Sequence, residues 1–101
     1  MHNQIPLMQK YNCHFISEKI REGGQLIDVR SQVEFNQGAL NGAINIPITS
    51  VQSLKDNLKK SKPILLYCRT GARSEAVKNY LERLGFDQVH NIGGIQQFVG
   101  C

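Results

Sequence analysis

The chain has no run approaching the roughly 20 consecutive apolar residues of a membrane span. Its opening, Met1-His2-Asn3-Gln4-Ile5-Pro6-Leu7-Met8, lacks both the charged n-region and the apolar h-region of a leader. Read this way the protein is cytoplasmic; an exported protein whose leader had been removed would look the same, so the periplasm is the alternative. Cysteine is too scarce for a disulfide framework, since three is an odd count that fits a reducing compartment. Metal-binding patterns are missing too: His14 and His90 have no second ligand at useful spacing. The densest basic group, Lys55, Lys59, Lys60 and Lys62, has no interleaved aromatics, which argues against a nucleic-acid surface and for a solvated helix face. Repeats and low-complexity segments are also absent.

What remains is ordinary globular material. With 101 residues, 41% hydrophobic and 20% charged, the chain is one domain spanning 1–101, and residues 1–10 are read as a loosely ordered N-terminal segment of it. A net charge of +4 favours anionic partners.

Strand and helix signals alternate along the chain. Phe15-Ile16 reads as a short first strand holding Cys13 as a packed residue, Ser17 as an N-cap for Glu18 to Arg21, and Gly23-Gly24 as a stop. A strand follows over Gln25 to Val29, then a turn of helix near Val33 to Asn36 and a short strand at Ala43 to Ile46. Thr49 or Ser50 can cap a helix running to about Leu58, with Val51, Leu54 and Leu58 on one face. Pro63-Ile64-Leu65-Leu66-Tyr67 is a continuous apolar run, the pattern of a strand buried on both faces of a parallel sheet. Ala76, Val77, Tyr80, Leu81 and Leu84 then recur at helical spacing before Gly85, and Gln88 to Ile92 reads as a last strand before a short helix. Such alternation predicts an α/β domain, a parallel sheet covered on both sides.

The chemistry concentrates in Tyr67-Cys68-Arg69-Thr70-Gly71-Ala72-Arg73-Ser74. Cys68 sits at the carboxyl end of the buried strand and faces a helix N-terminus. There the amides of residues 69 to 74 have few intrahelical partners and converge on one point, aided by the helix dipole. A thiol in such a place, beside Arg69 and Arg73, is expected to ionise at neutral pH. The arginine forks suit a sulfate-, sulfonate- or phosphate-like oxyanion, and Gly71 supplies the positive φ of a tight loop. A cysteine after an apolar strand is by itself most simply a small core residue. Two arginines and a glycine within the next five positions turn the reading to a nucleophile.

Cys68-Arg69-Thr70-Gly71-Ala72-Arg73-Ser74 resembles the active-site loop of single-domain rhodanese-type sulfurtransferases. Two further blocks carry the same resemblance. One is Leu26-Ile27-Asp28-Val29-Arg30 with Glu34-Phe35, Gly38, Gly42-Ala43 and Asn45-Ile46-Pro47; the other is Asn91-Ile92-Gly93-Gly94-Ile95 with Phe98 where the family often has tryptophan. Ala39 and Leu40 depart from the family's histidine and isoleucine, a difference read as packing near the sheet edge.

The resemblance implies a three-layer α/β/α rhodanese-like domain whose central five-stranded parallel sheet has the order 1-5-4-2-3. It implies a Cys68 thiolate that takes a sulfane sulfur from thiosulfate or a similar donor, and a persulfide that passes it to a thiol or cyanide. Arg69 and Arg73 would hold the donor's oxyanion end, and Arg73 would also order the loop. No metal or organic cofactor is called for, and neither nucleic acid nor membrane is an expected partner. Arg69 directly after the cysteine resembles thiosulfate users, and the short loop, with Arg73 five positions after Cys68, separates the chain from phosphatases. A non-enzymatic persulfide carrier or protein-binding module is the alternative. Asp28 and Arg30, at a strand end near Cys68, are candidate substrate contacts or, more simply, a structural charge pair, with Arg30 to Glu34 the first pairing expected. Cys101 is expected to be exposed and incidental to sulfur transfer.

Overall fold

The computed structural model describes residues 10–101, so most of the segment 1–10 lies outside the described residues. Eight regular elements follow one another: α1 (Cys13–Arg21), β1 (Gln25–Asp28), α2 (Gln32–Asn36), β2 (Ile44–Asn45), α3 (Val51–Asn57), β3 (Ile64–Cys68), α4 (Ala72–Arg83) and β4 (Val89–Gly94). Short 3₁₀ turns cover Ile48–Ser50 and Ile95–Phe98. No helix among the described residues is long and apolar enough to cross a membrane.

The strands pair in parallel in the order β2-β1-β3-β4. That is the expected rhodanese-like order for the last four strands. The fifth does not appear among the described residues, because Phe15 and Ile16, read as strand one, lie in α1 instead. The helix begins earlier than Ser17 because Asn12 caps it, its side chain accepting the Phe15 amide at 2.8 Å. A two-residue apolar signal cannot distinguish strand from helix, and the cap decided it.

Alternation along the strands divides the core between two faces. Ile27 and Val29 of the β1 segment and Ile64, Leu66 and Cys68 of β3 point to one face, where Leu54 and Leu58 of the α3 region and Val77 and Leu81 of α4 cover them. Leu26, Leu65 and Tyr67 point to the other, against Ile16, Leu40, Ile92 and Phe98. Phe98 is 1% exposed and belongs to this second-face core. Leu40 is buried on this second face while Ala39 is exposed, and the Leu40 amide donates to the Tyr67 hydroxyl at 3.0 Å. The β3 side chains from Ile64 to Cys68 are each at most 1% exposed, and burial of a large apolar side chain is worth about 1.5–3 kcal/mol. This strand anchors the sheet, and its parity sends Cys68 to the α4 side.

Cys13 and Cys101, 88 positions apart in sequence, form a disulfide with Cα atoms 5.4 Å apart. This corrects two expectations: Cys13 is an exposed residue at the start of α1 rather than a packed strand residue, and Cys101 has a partner. The odd cysteine count misled because Cys68 stands apart as the free thiol, which leaves an even pair. Neither member has a local signal that points to the other; they meet because α1 and the segment after Phe98 pack on the same face. In the chain-entropy account, closing so long a loop stabilises by about 4–5 kcal/mol. Reduction of the bridge, or Cys101→Ser, should therefore lower Tm by at least about 10 °C, given about 4–8 °C per kcal/mol for a domain of this size. A thermal melt insensitive to reductant would show that the bridge contributes nothing.

Candidate active site

β3 ends at Cys68 and α4 begins at Ala72, so only Arg69, Thr70 and Gly71 make the turn. Gly71 occupies the N-cap position of α4 with φ +100°, a conformation that favours glycine. The sharp turn folds the first amides of α4 back over the strand end. The Gly71 amide donates to the Cys68 sulfur at 3.0 Å, and the Ser74 hydroxyl lies 3.4 Å from it.

Cys68 is 1% exposed, and this burial is the largest single influence on its thiol, pushing it up. The Ser74 hydroxyl and the amides of Ser74, Thr70 and Gly71 act the other way, and together they outweigh burial, so the thiol lies below its ordinary value. The sulfur is thus buried where charge is penalised, beside donors that favour it. The arrangement suits a thiolate nucleophile.

Arg73 does not face the sulfur as a free cation. Its guanidinium forks onto Glu34, Nη1 to Oε1 at 2.7 Å and Nη2 to Oε2 at 3.0 Å. Glu34 is itself fixed at the start of α2 in a reciprocal cap: its Oε1 accepts the Ser31 amide at 3.0 Å, and its own amide donates to the Ser31 hydroxyl at 3.1 Å. Arg73 therefore ties α4 to α2. Arg69 is exposed and has no hydrogen bond or ion pair among the described residues. Of the loop's two guanidiniums it is the one left without a partner among the described residues.

The expected Arg30–Glu34 pair is also corrected. Arg30 instead forks onto Asp28, with Nη2 2.7 Å from Oδ2 and Nε 3.0 Å from Oδ1, and reaches the Gly38 carbonyl at 2.6 Å. Asp28 is wholly buried and Arg30 nearly so. With the Asp28 carboxylate also accepting the Arg30 amide at 2.9 Å, both charges are spent inside the fold. This is the geometry of a buried ion pair. Arg30 had two acidic candidates, and side-chain reach over two residues of a turning backbone selected the nearer.

One residue of the third sequence block reaches the site unannounced. Asn91 of β4 donates to the Gly71 carbonyl at 3.0 Å and to Glu75 Oε1 at 2.9 Å, and accepts from the Ser74 hydroxyl at 2.7 Å. No spacing rule linked it to the loop, since 17 residues separate it from Ser74. The only signal was its place in that block. The following glycines allow the loop to lie directly on β4: a Cβ on Gly94 would come within 2.7 Å of the Arg69 carbonyl, and one on Gly71 within 3.4 Å of Gly93. Thr70 and Ala72 are exposed at the mouth, where the Thr70 hydroxyl accepts the Ala72 amide at 3.5 Å.

Residues 14–101 match the rhodanese-like domain family. The chain is 36% identical over 87 residues to the uncharacterized protein YqhL of Bacillus subtilis, a match covering 82% of this chain and 69% of that protein. It is 30% identical over 69 residues to the thiosulfate sulfurtransferase GlpE of Tolumonas auensis, covering 68% of this chain and 65% of that one. The chain thus spans about two thirds of the length of these curated relatives. A solved rhodanese with anions from E. coli superposes with a TM-score of 0.70 at 31% identity, covering 74% of this chain and 91% of that structure.

The Glu34–Arg73 tether has a pH signature. The Arg73 guanidinium, then the Ser31 amide, hold the Glu34 carboxyl down from 4.5 to about 2. A depressed folded-state value means that the stabilisation is complete above the unfolded value and fades as pH falls from about 4.5 to about 2. Denaturant midpoints measured across that window should fall more steeply for the natural protein than for Glu34→Gln. Parallel curves would exclude the tether as a source of acid sensitivity.

Proposed function

Because the chain belongs to the rhodanese-like domain family, we propose that it is a sulfurtransferase whose Cys68 carries sulfane sulfur from thiosulfate or a similar anionic donor to a thiol or cyanide. The observation that carries this reading is the set of donors around a buried sulfur: the Gly71 amide at 3.0 Å, the Ser74 hydroxyl at 3.4 Å and the further amides that bring the thiol down. Sulfurtransferase activity in general also fits the name of a relative matched over most of this chain.

The chemistry divides into two displacements at sulfur. In the first, the Cys68 thiolate attacks the sulfane sulfur of thiosulfate; the new S–S bond forms as the bond to the sulfonate sulfur breaks, and sulfite departs with the electron pair. The persulfide's anionic terminal sulfur is stabilised by the loop amides, donors set before the reaction begins. In the second, an acceptor thiolate or cyanide attacks that terminal sulfur and the electron pair returns to Cys68. Arg69, unengaged, receives the sulfonate oxygens, while Arg73 holds the loop against α2 rather than the donor. The three-residue turn from Cys68 to α4 supports sulfur transfer over phosphate hydrolysis by leaving a narrow cradle.

The cellular setting is open to two readings, and the Cys13–Cys101 bridge bears on them. Disulfides persist in oxidising compartments, which favours the exported alternative. In the cytoplasm the same two cysteines would stand reduced.

Incubation with thiosulfate should add one sulfur atom to the intact protein by mass spectrometry and release sulfite, and Cys68→Ser should abolish both. Arg69→Ala should raise KM for thiosulfate about tenfold, the loss of roughly one charge-assisted hydrogen bond, with little change in Tm. Turnover surviving in Cys68→Ser would end this assignment.

A further inference from the structure

The Ser74 hydroxyl has two acceptors and one hydrogen. Its oxygen lies 2.7 Å from Asn91 Oδ1 and 3.4 Å from Cys68 Sγ, and a hydroxyl donates to one acceptor at a time. Ser74 is wholly buried, so bulk water cannot supply a third partner.

The Asn91 amide cannot turn over to become the donor. Oδ1 already accepts the Gly93 amide at 3.1 Å, and Nδ2 faces two acceptors, the Gly71 carbonyl at 3.0 Å and Glu75 Oε1 at 2.9 Å. A flipped amide would set two hydrogens against an N–H and an oxygen against two oxygens, so the surrounding network fixes the orientation. The β4 backbone is shaped to this end. Opposite β3 the register runs Leu66 to Asn91 and then Tyr67 to Gly93, leaving Ile92 as an extra residue. Such a bulge re-aims the side chains beside it: Ile92 enters the second-face core, while Asn91 reaches the first turn of α4.

We propose that Asn91 is a positioning residue that parks the Ser74 hydrogen while the Cys68 sulfur is uncharged and releases it to the sulfur when the thiolate forms. In the neutral states, a thiol or the inner sulfur of a persulfide, the hydroxyl points to Asn91 Oδ1. When an acceptor takes the terminal sulfur and the electron pair returns to Cys68, the hydroxyl rotates onto the anion. Asn91 gives up one of its two donors and keeps the Gly93 amide. No proton is transferred and no bond other than a hydrogen bond changes. The hydrogen bond follows the charge, stabilising the thiolate as leaving group without leaving a buried hydroxyl unpaired in either state.

The idea rests on Cys68 as the sulfur-carrying nucleophile, but its test requires no sulfur transfer, so the two readings fail separately. In the bridged protein Cys68 is the free thiol, and its ionisation can be followed by the pH dependence of iodoacetamide alkylation and by its 13Cβ resonance. The Asn91 side-chain 13Cγ resonance should titrate with the same midpoint as Cys68, and that response should vanish in Ser74→Ala. Asn91→Leu, which removes the competing acceptor, should lower the alkylation midpoint by roughly half a pH unit, about threefold more thiolate on the rising limb. In a Ser74→Ala background the same substitution should move it by less than about 0.2 unit, because coupled residues are non-additive. An Asn91 carbon that stays constant through the Cys68 titration in the natural protein would overturn the proposal. So would a response that persists without the Ser74 hydroxyl, or an Asn91→Leu shift unchanged in the Ser74→Ala background.

Discussion

The hydrogen bond from the Gly71 amide to the Cys68 sulfur, 3.0 Å long, sits where two opposed demands meet. The last residue of a fully buried strand is a poor place for a negative charge, since burial favours the neutral thiol. The first turn of a helix has amides with no partners inside the helix. Joining strand to helix through three residues places the second problem on top of the first, and each relieves the other. The net lowering of the Cys68 thiol, achieved against burial, is the electrostatic outcome of that geometry.

So tight a bend has to be held from outside, because three loop residues carry little packing of their own. Two neighbours hold it. α2 takes Arg73 through Glu34, whose carboxylate is already fixed by the Ser31 cap. β4 takes the loop backbone through Asn91, and the small residues Gly93 and Gly94 permit close contact. Beside them, Arg30 joins Asp28 at the end of β1 to the Gly38 carbonyl. Arg30 and Arg73 are each engaged by a carboxylate, Asp28 and Glu34. The Arg69 side chain is exposed and has no hydrogen bond or ion pair among the described residues.

Local signals were readable where one element produced them alone. The run Ile64 to Tyr67, the helical spacing from Ala76 to Leu84 and the positive φ at Gly71 all follow from the conformational preferences of adjacent residues. α1 was misread because a capping bond from Asn12 outweighed a two-residue apolar signal. The partners of Arg30, Arg73 and Cys13 were misread or missed for a different reason. Each had several candidates of suitable charge or chemistry, and the choice depended on which elements the sheet order brings together.

The sequence by itself determined that Cys68 lies at the junction of a buried strand and a helix, at the start of a short glycine-containing turn, because turn geometry and hydrophobic periodicity are properties of neighbouring residues. Only the tertiary structure decided that Arg73 belongs to Glu34, that Arg30 belongs to Asp28, that Asn91 shares a hydrogen with Ser74, and that Cys13 meets Cys101. Hydrogen bonds and ion pairs act over a few ångströms of space, and residues 17, 39 or 88 positions apart become neighbours only after packing of the parallel sheet and its helices sets the distance between them.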